Sequence, residues 1–176
     1  ILEEAIELRE AGIEKPILVL GYTSKEQYAM LVTYGVTQTV FCYDMAKALS
    51  DEASGLGKKA KVHIKVDTGM SRIGYPDTQE GINEIKRIAK LPGIEIEGIF
   101  SHFAKADECD QLSIEKQLKR FLSFCEMLKK EGIDIPVKHI SNSAGAINDR
   151  NADLNMIRCG ICTYGIYPSR EISREG

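Results

Sequence analysis

The stretch KVHIKVDTGMSRIG, residues 61–74, governs how the rest of the chain is read. From Lys61 to Asp67 the residue types alternate. Val62, Ile64 and Val66 take one face; His63, Lys65 and Asp67 take the other. A period of two is the mark of a β-strand. A strand with this apolar content is expected to be covered on both sides, so Lys65 sits where an unpaired cation is costly. Four outcomes relieve it: the ammonium reaches solvent at the strand end, finds a partner, loses its proton, or is chemically modified. Escape to solvent at a barrel end is the default expectation.

Working outward, similar runs recur. Strands are predicted over Pro16–Gly21, Thr37–Cys42, Ile94–His102, Val137–Ser141 and Asn155–Gly165, all short and rich in β-branched residues. Amphipathic segments lie before and between them. Residues 1–11 read as helix, with Leu2, Ala5, Ile6 and Leu8 apolar. Ser24–Gln27 reads as a capping box opening a helix that ends near Gly35. Asp44 is placed to cap a helix running towards Ser54, and Asp77 or Thr78 opens one with Ile82, Ile85 and Ala89 on one face. Ser113 opens the longest, carrying Ile114, Leu118, Phe121, Leu122, Cys125 and Leu128 at helical spacing until Gly132.

Strands alternating with helices, roughly one unit per 25 to 30 residues, imply a parallel sheet. Two architectures compete. A doubly wound sheet usually shows a Gly-rich turn after its first strand, and none is present. A (β/α)8 barrel needs about 250 residues, and about six strands in 176 residues leave it two strands short.

Composition excludes several classes. A net charge of -3 leaves no footprint for nucleic acid, and Lys58, Lys59 and Lys61 form only a small solvated cluster. No apolar run reaches the roughly 20 residues of a membrane span, and no signal peptide is evident. The chain opens without Met, already in a helical pattern, so it is expected to begin inside a larger protein. Five cysteines, an odd number without framework spacing, point to a reducing compartment. Cys159 and Cys162 fall in a predicted strand, where residues three apart point to opposite faces, so neither a metal nor a disulfide is expected there.

Polar residues collect where strands end: Asp67-Thr68-Gly69, Ser101-His102 and Ser141-Asn142-Ser143. Arg158, Gly160 and Ile161 lie in the last apolar run. In a barrel such ends converge on one mouth, where active sites are built. Ser143, followed by Ala144-Gly145-Ala146, offers a hydroxyl and a close backbone approach suited to phosphate, and Gly160 leaves room opposite. The competing reading is that Ser141–Ser143 only cap a short helix.

Four ordered segments resemble the alanine racemase family: Lys65–Gly74 (KVDTGMSRIG), Ser101–Asp107 (SHFAKAD), Ser141–Ala144 (SNSA) and Met156–Gly165 (MIRCGICTYG). They follow one another in order between residues 65 and 165. The resemblance implies an incomplete TIM (β/α)8 barrel, residues 1–176, binding pyridoxal 5'-phosphate and lacking the first barrel strands and a C-terminal β domain. It implies that Arg158 holds the pyridine nitrogen and that Asn142, Ser143, Gly160 and Ile161 cradle the phosphate. His102 would support Arg158 from behind, Arg72 would face the phenolic oxygen and the substrate carboxylate, and Lys65 would be carbamylated and position Arg72. No metal is implied.

The same resemblance implies racemisation of alanine for cell-wall precursors by a cytoplasmic homodimer. The two acid/base residues of the family, a Schiff-base lysine in the first strand and a tyrosine of the β domain, have no match here; Lys65, Tyr164 and Tyr167 stand in different motifs. The chain alone is therefore expected to be inactive and to self-associate through open strand edges. A membrane-tethered serine racemase of the same family is the alternative. A phosphate-binding aldolase or isomerase barrel would account for the phosphate site but not for the Lys65–Arg72 and Ser101–Asp107 matches.

Overall fold

The computed structural model describes residues 1–108 and 111–171; Cys109, counted above among the cysteines, lies outside them. After a first helix α1 (Leu2–Glu10), a parallel sheet is laid down strand by strand. Its centre is β3 (Ala60–Asp67), whose alternating pattern opened the sequence reading. β3 pairs with β2 (Thr37–Val40) on one side and β5 (Ile94–Phe100) on the other, while β1 (Leu18–Val19) and β6 (Val137–His139) complete the order β1-β2-β3-β5-β6. A two-residue strand, β4 (Tyr75–Pro76), pairs with the end of β3. Every pairing is parallel, and the result is half of a barrel.

Helices α2 (Tyr28–Thr33), α3 (Tyr43–Gly55), α4 (Gln79–Ile88), α5 (Gln111–Lys130) and α6 (Ser143–Asn148) follow the strands. Val62, Ile64 and Val66 of β3 and Ile99 of β5 have no exposed surface and share one core with Leu31, Leu49, Ile82, Ile85, Phe121 and Phe124 of the helices. Burying each such side chain stabilises by about 1.5–3 kcal/mol. That outer core fixes the other face of each strand as the inner one. In register, Thr39 lies beside His63, Lys65 beside Phe100, and Phe100 beside His139. The inner face is thus aromatic, histidine-rich and cationic.

Several expectations need correction. The run 155–165 is not a ladder strand. Its start lies along β6, with the Asn155 N–H donating to the Lys138 carbonyl and the Arg158 N–H to that of Ser141, and Ile161–Tyr164 then winds into a 3-10 turn. Gly160 at φ -103°, ψ -96° turns the chain out of extended geometry. The sixth strand is β4 instead. Cys159 and Cys162 therefore lack the strand geometry that would turn them to opposite faces, and the Cys159 pKa is raised by desolvation first and then by Cys162. The edge of β6 is partly covered by residues 155–158, so the open edge expected there is reduced.

At the helices, Ser24 makes no side-chain cap and opens a 3-10 turn (Lys25–Gln27) rather than a capping box. The longest helix already includes Gln111, so Ser113 lies within it. Leu8 is exposed, because only Leu2, Ala5 and Ile6 of α1 face the core. Thr78, not Asp77, precedes α4; Asp77 instead accepts two hydrogen bonds from Arg120, at 2.5 and 2.6 Å.

Candidate active site

Three strand ends and one flanking segment deliver the site. β3 brings Lys65 and Asp67, β5 runs into Ser101 and His102, β6 into Ser141, Asn142 and Ser143, and the segment alongside β6 supplies Arg158 and Gly160. Thr68 and Ser101 join the first two ends through a buried hydroxyl pair at 2.7 Å.

Arg158 is the hub. Its Nη2 donates to the carbonyls of Ser101 (2.8 Å) and Ile140 (2.9 Å) and approaches His102 Nδ1 at 3.2 Å; its Nη1 lies 2.5 Å from His139 Nδ1. The guanidinium also stands 5.1 Å from the centre of the Phe100 ring, which stacks on His139. All these partners are neutral acceptors or π faces; none is a carboxylate. Burial lowers the Arg158 pKa to about 10, which still leaves it charged at neutral pH.

That charge and burial keep the neighbouring histidines neutral. Desolvation first, then the nearby Arg158, bring His102 down to about 4 and His139 to about 2. His63, buried beside them, is lowered by desolvation, with Glu97 opposing the shift.

The anion pocket is built from two turns. Ser143 Oγ accepts from the N–H groups of Gly160 (2.9 Å) and Cys162 (3.4 Å), so hydroxyl and amides converge on one spot. Asn142 caps α6 through the Gly145 N–H at 2.9 Å. The helix-cap reading of this segment is therefore right for Asn142. Ser141 is turned inward instead, donating to the Ala152 carbonyl. Opposite these turns lies a cavity of about 420 Å3 lined by His102, Asn142, Ser143, Arg158, Gly160 and Ile161. Six of the residues singled out in the sequence thus share one cavity.

Lys65 and Arg72 do not line it. Lys65 is buried and does not escape to solvent, contrary to the default expectation. Its Nζ donates to the Val66 carbonyl at 2.9 Å and faces the Phe100 ring at 5.6 Å. Burial chiefly lowers its pKa to about 8, with Arg158 and Arg72 adding to the shift and Asp67 opposing it. Arg72 is exposed on the loop after β3, and its charge reaches both Lys65 and His102. Asp67 shapes that loop: its Oδ1 accepts from Gly69 and Ser71 N–H groups. Burial alone would raise the Asp67 pKa, but those backbone donors win and lower it.

Sequence reasoning missed the residues behind Arg158. His63 Nδ1 and His139 Nε2 are 2.8 Å apart, and Glu97 lies beyond His63. Both histidines stood in predicted strands, and His63 shares the Lys65 face; a histidine in mid-strand on a face already carrying a lysine was the available signal.

The donor set suits a specific kind of ligand. A guanidinium satisfied by neutral acceptors on its inner side keeps its outer edge free of any carboxylate, which suits an uncharged ring nitrogen. A hydroxyl with two converging amides suits a phosphate. Fold and site together define a βα-barrel domain with a buried guanidinium and a hydroxyl–amide turn at one cavity beside its strand ends.

Residues 1–168 match the alanine racemase, N-terminal domain family, and the chain belongs to it. It is 46% identical over 172 residues to an alanine racemase of Methanococcus maripaludis, covering 98% of this chain and 46% of that protein. To alanine racemase 2 of Caldanaerobacter subterraneus it is 49% identical, covering 98% of this chain and 45% of that one. Superposition on the alanine racemase of Clostridium difficile 630 gives a TM-score of 0.96 at 40% identity, over 99% of this chain and 46% of the other. The chain thus spans about half the length of the relatives it matches. Among the described residues no helix is long and apolar enough to cross a membrane.

Proposed function

We propose that this chain is the cofactor-binding barrel half of an enzyme that interconverts L- and D-alanine with pyridoxal 5'-phosphate, acting in the cytoplasm as a homodimer and supplying D-alanine for cell-wall precursors. The observation that carries the reading is Arg158, a charged guanidinium held entirely by neutral acceptors at the wall of a cavity shared with the Ser143–Gly160 anion pocket. Asn142, Ser143, Gly160 and Ile161 would hold the phosphate, and Arg158 the pyridine nitrogen, with His102 behind it. The cofactor, when bound, supplies an electron sink for the substrate Cα carbanion.

Arg158 limits that sink. It keeps its proton at neutral pH, so a ring nitrogen held against it would stay unprotonated and would draw electrons less strongly. Charge then stays near Cα, which favours prompt return of a proton over side reactions. Racemisation is that outcome: a proton leaves one face of Cα and another arrives on the opposite face.

Lys65 and Arg72 form the substrate side. A lysine lowered to about 8 is neutral in roughly one molecule in ten near pH 7, far more often than an ordinary lysine, and a neutral amine is what carbon dioxide adds to. The ammonium first gives one proton to solvent; carbon dioxide then adds to the neutral amine, an N–C bond forms as one C=O π bond opens, and a second proton leaves, so a buried cation would become an anion able to hold Arg72. An intact mass lacking the added carboxyl at Lys65 removes this part of the reading.

The deciding experiment is racemisation by the full-length protein with added cofactor, on L-alanine and L-serine in parallel. Faster turnover of alanine is expected. Faster turnover of serine would assign it instead to serine, and no turnover of either would overturn the proposal.

A further inference from the structure

We infer that the Glu97 carboxylate is a positioning residue, acting through His63 and His139 on the orientation of Arg158. A guanidinium only donates, so His139 Nδ1, 2.5 Å from Arg158 Nη1, must be an acceptor. A neutral imidazole has one N–H. It therefore lies on His139 Nε2, which donates to His63 Nδ1 at 2.8 Å. His63 in turn carries its hydrogen on Nε2, and that atom faces Glu97 Oε2 at 3.7 Å. The gap is too long for a direct hydrogen bond and short enough for a carboxylate to polarise the ring. Protonating either histidine would set two N–H groups against each other along the chain.

The backbone is arranged to make this contact. Val62 pairs with Ile96 but His63 pairs with Gly98, so Glu97 is the extra residue of a β-bulge. The bulge re-aims its side chain beside His63. Gly98 then leaves the space that the imidazole occupies: a Cβ there would come within 2.6 Å of three His63 ring atoms. Glu97 is itself fixed by Lys61 Nζ at 2.8 Å and Thr37 Oγ1 at 3.3 Å. Its burial would raise its pKa, but Lys61 prevails and the carboxyl stays ionised. The effect at Arg158 is cooperative: a polarised His63 accepts more strongly from His139, and His139 accepts more strongly from Arg158. The negative charge steadies the guanidinium from a distance, without placing a carboxylate in the cavity.

The test is nitrogen-15 NMR of the histidines in the full-length protein, assigned by single histidine substitutions. Both His63 and His139 should be neutral with the hydrogen on Nε2; a hydrogen on Nδ1 of either one overturns the relay. This measurement needs no altered Glu97, so it decides the proton direction even if a variant fails to fold. In Glu97→Gln, the His139 nitrogen shifts should move, and kcat for alanine should fall about tenfold with KM within about twofold, with partial recovery in Glu97→Asp. Unchanged His139 shifts, with kcat per folded protein retained, would reduce Glu97 to a structural role and overturn the inference. The kcat readout rests on the racemase reading; absence of racemase activity in the unaltered protein, with the tautomers as stated, would count against that reading and not against the relay.

Discussion

His63 Nδ1 and His139 Nε2 stand 2.8 Å apart inside the half-barrel, although 76 positions separate them in the chain. The pair exists because β5 lies between their strands and presents Gly98 at the crossing point. It joins the floor of the barrel at Glu97 to the cavity wall at Arg158.

That crossing makes Gly98 sensitive. Gly98→Ala would force a methyl into the His63 ring, and neither strand can easily retreat from a buried sheet. We expect a loss of about 1–3 kcal/mol, the usual cost of overpacking a core, read from the urea midpoint of the full-length protein. An unshifted midpoint would mean that the ring does not lie over Gly98.

Stability should fall on acidification. His102, His139 and His63 have folded pKa values below their ordinary 6.5. As pH drops through about 6.5, the unfolded chain takes up protons that the folded one refuses, so unfolding is favoured. The loss continues towards pH 4 for His102 and towards 2 for His139. The lowered carboxylates Asp67 and Glu97 act in the same direction at the acid end. Denaturant midpoints at pH 7.5 and 5 check this; equal midpoints would show that the histidines are already charged in the fold.

Asn142 and Ser143 both belong to the proposed phosphate set, and Asn142 carries a helix cap as well. Asn142→Ala removes the cap on Gly145 N–H and should cost about 1 kcal/mol of stability. Ser143→Ala removes the acceptor shared by Gly160 and Cys162 N–H groups. It should weaken cofactor binding about tenfold, the worth of one charge-assisted hydrogen bond. Titration of the full-length protein with pyridoxal 5'-phosphate, followed by visible absorbance, measures both variants.

Arg158→Glu would give the ring nitrogen a carboxylate partner able to share a proton. A stronger electron sink should then raise transamination-type side products relative to racemisation. Product analysis after prolonged turnover of the full-length variant checks the direction, and an unchanged product ratio would count against the role assigned to Arg158.

The sequence showed the order of the longer strands and helices, because alternation in β3 and the helical spacing in α4 and α5 are local properties of side-chain type, but it did not show the two-residue β4. It also singled out His102, Asn142, Ser143, Arg158 and Gly160, which the fold brings to one cavity, since motifs at strand ends are visible without coordinates. It misjudged residues 155–165, where apolar content suggested a ladder strand. Content cannot report that Gly160 turns the backbone, or that the segment follows β6 only from Asn155 to Arg158. The rest belongs to the tertiary structure: Lys65 buried against Phe100, and the Glu97–His63–His139–Arg158 chain. Those contacts depend on sheet register and on a one-residue bulge, and register is a relation between distant segments that no single segment encodes.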